Sequence, residues 1–497
     1  MNEEINPSRP ASSAQGQTEN KAEKTTERRN EHQNEQQTEH KIEKKKSPLY
    51  ASVWRWHFYA GLIFTPFLLI LAISGGIYLF KDEVENYMHH DQYFVSPQTV
   101  TEEKLPPSDM VEKVQAGHPG AVVISMTQYD NPERSVKMGL IEQGQMSFAF
   151  INPYNGELSG KLSSDDMLMN QVRDLHSQLL VGGTWANRLV ELAAGWALIL
   201  LLTGLYIWWP RNKGGIWGTL LPRFRARGRT FWRDLHAVPA FWLSAGLLLL
   251  ILTGLPWSGV MGEQIQKFST STNTGYPAFA LSFGEKPQSV TYTKDVAQDI
   301  PWATEKLPVP TSDDTKGLIP LGINEVQHLV DSQSIDKPYT LSFPSGASGV
   351  YTVATTGQHP TDLTTIHLDQ YSGTVLTDVR FADLGITAQA ISLGIALHEG
   401  RLFGLPNQLL GLLVCAGLVL MIISAIVMWL KRRPAGKLGA PSKPASPRPV
   451  KQTIVVWAIT LILGILMPLV GLSIVAVLLL DLLVIRRIKA LKSWFSA

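Results

Sequence analysis

Apolar positions gather into long runs separated by polar stretches. Four runs, about 58–80, 187–209, 237–258 and 406–430, have the roughly 20 residues one helix needs to cross about 30 Å of hydrocarbon. A fifth, about 453–486, would be about 50 Å long as a single helix, too long for one crossing. Pro468 and Gly471 interrupt it, which predicts a hairpin of two short spans; one long tilted helix is the lesser alternative. Two polar segments, about 81–175 and 259–397, have the turn content of small globular domains. Each holds a strand–turn–strand phrase, "FINPYNGELSG" at 150–160 and "IHLDQYSGTVL" at 366–376, with Gly156 and Gly373 placed to supply a positive φ. A helical phrase precedes each, "SDMVEKVQAG" at 108–117 and "GINEVQHLVDS" at 322–332. The pattern predicts an α-helical integral membrane protein with a four-helix core, a C-terminal hairpin and two small α+β domains.

Composition agrees: of 497 residues 45% are apolar and 17% charged, low in charge for a soluble chain. The net charge of +2 gives no sign of nucleic-acid binding. Cys415, the only cysteine, lies in an apolar run, so no internal disulfide and no cysteine-based metal site is possible. Residues 1–46 are rich in Glu, Lys, Gln, Asn and Thr and read as a disordered tail. The first apolar run begins near residue 58 and is full length, so it reads as an uncleaved anchor. Lys/Arg clusters precede the first run, join the second to the third, follow the fourth and close the chain. With six spans all fall on one side, the cytoplasm. The expected layout is a first span in 47–80, an outer domain 81–175, a span in 176–210, a basic loop 211–235, a span in 236–258, an outer domain 259–397, a span in 398–431, a linker 432–452, the hairpin 453–486 and a tail 487–497. Both termini are then cytoplasmic in a multi-pass protein of the cytoplasmic (inner) membrane.

The halves echo each other. "VWRWHFYAGLIFTPFLLILAISGG" and "FWRDLHAVPAFWLSAGLLLLILTG" both run from Trp-Arg through a histidine to a Ser/Thr–Gly pair, Gly75 lying 18 residues after His57 and Gly254 18 after His236. "LHSQLLVGGTWANRL" and "LHEGRLFGLPNQLL" place a glycine six residues after His176 and His398. Span, outer domain and span thus occur twice in the same orientation, a parallel repeat with a pseudo-twofold axis along the membrane normal. His57 and His236 then meet near the inner face, His176 and His398 near the outer. Histidine is costly in a membrane, and two imidazoles facing across a bundle suit axial ligation of haem iron. Arg55 and Arg233 stand near the inner pair and Arg173 and Arg401 near the outer, where they can receive propionates. Two histidines per site without cysteine or carboxylate are thin for structural zinc. His89 and His90 read as a solvated loop; His118, His359 and His367 read as ordinary loop or strand surface. The chain shows no G-x-G-x-x-G, Walker loop, C-x-x-C or nucleophile elbow, so donor and acceptor must come from outside it. A transporter would call for broken helices or an intramembrane acid, and neither is evident.

"SVWRWHFYAGLIFTPFLLILAISGGIYLF", "LTGLYIWWPR", "WRDLHAVPAFWLSAGLLLLILTG" and "LHEGRLFG" resemble the PepSY-associated transmembrane family over about 47–433. The turns at Gly156 and Gly373 resemble those of PepSY domains, so the outer domains are expected to be PepSY-like. The resemblance implies an iron-regulated membrane protein of the ferric-siderophore reductase type with two b-type haems, and His57, His176, His236 and His398 match the family's histidines. The expected function is dihaem electron transfer from an unidentified external donor to a ferric chelate at the outer face. The alternative is a haem-free PepSY sensor or regulator that binds peptides or partner proteins.

Overall fold

A computed structural model describes residues 47–495 apart from 101–102, 212–215, 276–290, 313–317, 356, 358 and 445; the tail 1–46 lies outside the described residues. Helix α1 (Pro48–Tyr78) begins where the Ser47 hydroxyl accepts the N–H of Tyr50 at 3.2 Å and Pro48 opens the first turn, a position where proline's missing donor costs nothing. A short α2 (Lys81–Met88) follows, then α3 (Pro107–Gly117), strands β1 (Val122–Gln128), β2 (Val136–Glu142), β3 (Gln145–Ile151) and β4 (Leu158–Ser163), and α4 (Leu168–Gln178). Next come α5 (Gly183–Trp208), α6 (Gly228–Trp242), α7 (Ser244–Gly254) and α8 (Gly259–Ser271). The second half continues with α9 (Ile323–Asp331), β5 (Tyr339–Ser342), β6 (Val350–Thr355), β7 (Thr364–Asp369), β8 (Val375–Arg380), α10 (Ile386–His398) and α11 (Leu405–Arg432), and the chain closes on α12 (Val450–Leu466) and α13 (Pro468–Leu480).

Helices α1, α5, α6–α7 and α11 contact in a closed ring. Among the described residues, four helices are long and apolar enough to cross a membrane, or five if the bent pair α6–α7 is one span. The pair departs from the single span expected over 237–258: it bends by 60° at Leu243. Pro239 lacks an N–H, and the Ser244 hydroxyl bonds the Phe241 carbonyl at 2.7 Å, competing for a backbone acceptor of the next turn. The outer segments also differ from two separate domains. They share one eight-stranded antiparallel sheet, β4-β3-β2-β1-β5-β6-β7-β8, joined where Ser125–Gln128 pairs with Tyr339–Ser342. Pairing β1 with β5 removes two open edges. The turns are as expected: Gly156 (φ +75°) lies between β3 and β4, and Gly373 (φ +68°) between β7 and β8.

Each half of the sheet buries one face under one helix. Met110 and Val114 of α3 pack on Met126, Met138, Leu140 and Ile151; Val326 and Val330 of α9 pack on Leu341, Val353, Ile366 and Leu368. The opposite face is buried too, yet rich in hydroxyls. Thr127 bonds Thr340 across the join at 2.9 Å, and Thr304 bonds Thr365 at 2.9 Å. His367 belongs to this layer: it is wholly buried, not on the surface, with Nδ1 3.0 Å from the Thr352 hydroxyl and Nε2 3.2 Å from that of Thr293.

The C-terminal hairpin turns at Met467, where the backbones of Gly464 and Gly471 touch. Its turn meets α5 halfway along: Val470 and Met467 lie against Gly195, and the Trp196 indole donates to the Ser473 hydroxyl at 2.9 Å. Its two ends return to one end of the bundle, with Arg448 over the Trp56 ring and the Phe495 carbonyl accepting from Tyr59 at 2.6 Å. That end also carries the arginines of 211–233, so it is termed the basic end, as opposed to the sheet end.

Candidate functional site: two histidine pairs in one cavity

A cavity of about 2470 Å³ runs through the helix ring, lined at one end by Trp54, Arg211 and Arg233 and at the other by Lys137 and Asp299. All four predicted histidines line it. His57 on α1 faces His236 on α6 with ring centres 6.5 Å apart and planes at 81°. His176 faces His398 at 6.3 Å and 70°. The second pair is not carried by spans, in contrast to the boundaries expected at 176 and 398. His176 sits on α4 and His398 ends α10, each a separate helix before its span. Leu179 and Leu180 take left-handed backbone (φ +53° and +59°) that stops α4 before α5 begins.

Hydrogen bonds fix the protonation of the four rings. His236 Nδ1 lies 2.8 Å from the Met421 carbonyl, which can only accept, so Nδ1 carries the proton. His57 Nδ1 lies 2.9 Å from Thr203 Oγ1, His176 Nδ1 3.0 Å from Ser74 Oγ, and His398 Nδ1 3.0 Å from Thr253 Oγ1. Each hydroxyl donates its single proton to a carbonyl one turn back: Thr203 to Ile199 at 2.6 Å, Ser74 to Ile70 at 2.7 Å, Thr253 to Leu249 at 2.7 Å. The hydroxyl oxygens therefore accept from Nδ1–H. In all four rings Nε2 is left with its lone pair, the state in which imidazole binds a metal.

The residue after each hydroxyl makes room for the ring. A Cβ at Gly75 would come within 3.0 Å of His176 Cε1, one at Gly204 within 3.3 Å of His57 Cε1, and one at Gly254 within 3.3 Å of His398 Cε1. The Ser/Thr–Gly pairs are thus cradles, and each serves the histidine of a neighbouring helix. Sequence reasoning noted the pairs at 74–75 and 253–254 but not their role, and missed Thr203–Gly204 and Met421. "LTG" occurs at 202–204 as well as 252–254, and that recurrence was the available signal.

The arginines divide. Arg173, Arg233 and Arg401 line the cavity. Each has a carboxylate beside it: Asp174 at 3.4 Å, Asp234 at 2.7 Å and Glu399 at 2.5 Å. Arg55 is not among the lining residues; it donates to the Pro441 carbonyl at 2.9 Å and lies over the Tyr59 ring. Arg432 lines the cavity near His57 and His236 instead, its guanidinium over the rings of Trp54 and Phe58. Its place in the run "KRR" had marked it only as a topology signal. Among the described residues no three His, Cys, Asp or Glu side chains converge as a metal cluster, so each pair offers two protein donors.

A family model described as the PepSY-associated TM region matches residues 54–432. The chain belongs to the PepSY-associated transmembrane family. The match spans the helix ring, both halves of the sheet and all four histidines, and stops before the hairpin. No curated protein matches the chain. The cradles and paired imidazoles thus lie wholly within the part shared with other PepSY-associated proteins.

Proposed function

We propose that this PepSY-associated membrane protein holds two b-type haems, one between His57 and His236 and one between His176 and His398, and passes electrons along the bundle to a ferric chelate at the sheet end. The observation that carries the reading is four imidazoles, paired across the cavity with steeply inclined planes, each with Nδ1–H held and Nε2 keeping its lone pair. A metal–nitrogen bond of about 2 Å on each side, plus about 1 Å from nitrogen to ring centre, separates two ring centres by about 6 Å, and the pairs stand at 6.5 and 6.3 Å. Two protein donors per site suit an iron whose remaining positions a macrocycle fills. When bound, haem supplies an iron that gains and loses one electron at a time.

The protein's own residues bind, orient and shield. The hydroxyls and the Met421 carbonyl set ring tilt and tautomer. Arg233 and Arg432 near one pair, and Arg173 and Arg401 near the other, are placed for propionates. Phe64, Leu68, Ala193 and Ile422 pack as an apolar cluster within the ring, and Leu68 and Ile422 give the cavity an apolar wall between its two ends. Reduction of iron to the ferrous state weakens its hold by hard oxygen donors, so a chelate reduced at the sheet end gives up its metal.

The halves are read as parallel repeats: Ser74 and Thr253 are spaced like His57 and His236, and the sheet is built outward from the β1–β5 join. The positive-inside bias places the basic end and both termini in the cytoplasm and the sheet outside, with the lipid bilayer around the ring. Detergent-purified protein from a haem-sufficient host tests the proposal. The expected result is a b-type spectrum and about two haems per chain by extraction; a colourless protein refutes it.

A further inference from the structure

At the basic end the cavity has a mouth of distinct chemistry. Five arginines line it, Arg211, Arg223, Arg229, Arg233 and Arg432, while every acidic lining residue lies toward the sheet end. Buried Asp234 answers two of them, meeting Arg223 at 2.7 and 2.9 Å and Arg233 at 2.7 Å. The positive-inside bias accounts for arginine on this face, but not for its turning inward to line a cavity, and two propionates engage only part of the set.

Aromatic rings interleave with these cations. Tyr50, Trp54 and Trp217 line the same mouth, and Arg211 stacks 4.4 Å from the Tyr50 ring centre. The wall is held in place. The Trp208 indole donates to the Thr219 carbonyl at 3.0 Å, that of Trp242 to Leu220 at 2.9 Å, and Trp208 stacks on Phe241 at 4.1 Å. A concave, fixed, cationic and aromatic site suits a small molecule rather than the flat face of a protein. Guanidinium forks match phosphate, and the rings match a flat heterocycle.

We infer that this mouth binds the reductant, and that the reductant is a phosphate-bearing, flat heteroaromatic two-electron donor with the chemistry of a dihydroflavin mononucleotide. The inference rests on the electron-transfer reading for its purpose, but not for its geometry. Oxidation of a dihydroflavin to the flavin releases two electrons and two protons. The electrons match two one-electron centres and finally reduce two ferric chelates to ferrous ones, and the protons leave to solvent.

The test uses full-length protein in phospholipid-free detergent, with haem content read on the same sample. Oxidised flavin mononucleotide should bind saturably, seen as quenching of flavin fluorescence. Riboflavin, which lacks the phosphate, should bind the unaltered protein at least ten-fold more weakly. The double substitution Arg211→Gln, Arg229→Gln should weaken nucleotide binding at least ten-fold. It should also slow anaerobic haem reduction by the dihydro form to the same degree, while leaving the haem spectrum and reduction by dithionite unchanged. Equal binding of riboflavin and the nucleotide overturns the inference, as does no saturable binding, displacement by phosphatidylglycerol but not by the nucleotide, or reduction by a quinol at a rate the arginine substitutions leave unchanged. A colourless protein that still binds the nucleotide selectively refutes the electron-transfer reading and leaves the site standing. A coloured protein that does not bind it does the reverse.

Discussion

Replacing Thr203 by valine keeps the side chain's shape and takes away the acceptor for His57 Nδ1–H, 2.9 Å distant. A buried donor without a partner costs about 1–3 kcal/mol, and outer-sphere partners of ligating histidines are worth about 10- to 100-fold in metal affinity. Thr203→Val should therefore weaken haem binding at the His57/His236 site by that order and leave the other site unaffected. Haem titration into the apoprotein, followed at both sites, measures this; equal weakening at both would show that Thr203 acts on the fold and not on its histidine. His367 makes a different residue-scale case. Burial holds its pKa down, to about 4, against about 6.5 in an unfolded chain. Between these values the unfolded chain takes up a proton that the folded sheet refuses, so stability falls as pH falls from about 6.5 to 4, by about 3 kcal/mol at most, and is level outside that window. Thermal melts should show this slope in the native protein and lose it in His367→Gln, whose amide can still bond the threonine hydroxyls. An unchanged slope in the variant would assign the acid sensitivity elsewhere.

Elements were legible in the sequence where a local rule governs them. Gly156 and Gly373 sit in their turns because only a left-handed residue closes those hairpins, and α3 and α9 show the helical period of their buried Met110/Val114 and Val326/Val330. What escaped depends on distant contacts. The β1–β5 join is a four-residue register between segments some 200 residues apart, and its bundle-facing side is threonine and serine, which hydropathy reads as surface. The break at Leu243 follows Pro239 by four residues inside an unbroken apolar run, so composition saw one span. Histidine positions could be read because they recur, whereas the cradle at Thr203–Gly204 lies on a different helix from the ring it holds. The hairpin offers a test at this scale. A side chain at Gly471 would come within 2.8 Å of the Gly464 backbone, so Gly471→Leu should force the legs apart at a cost of about 2 kcal/mol and release Trp196 from Ser473. The expected signature is a changed Trp196 fluorescence with an unaltered haem spectrum, since the hairpin carries none of the four histidines. Loss of colour instead would show that the hairpin supports the ring.

For the molecule as a whole, the question is which histidines share a ligand. Along the chain His57 and His176 belong to one half and His236 and His398 to the other, yet the ring brings His57 to 6.5 Å from His236 and His176 to 6.3 Å from His398. Each site is therefore completed only when both halves are folded against each other, which is also what the shared eight-stranded sheet enforces. Removing one imidazole of a pair leaves its partner to hold the group alone, so removing the second should do little more. His57→Ala and His236→Ala should abolish the same spectral component, and the double variant should match either single; His176→Ala and His398→Ala should behave likewise for the other. Across pairs the effects should be closer to additive, because the sites share no ligand. Redox titration with spectra of the four single variants and the two within-pair doubles measures this. Joint loss of one component on His57→Ala and His176→Ala would assign each ligand to a single half, and the proposed pairing would fall. With the pairing as seen, a bulky ferric chelate added to the reduced protein should oxidise the His176/His398 site first, since the sheet-end mouth of the cavity opens on that pair.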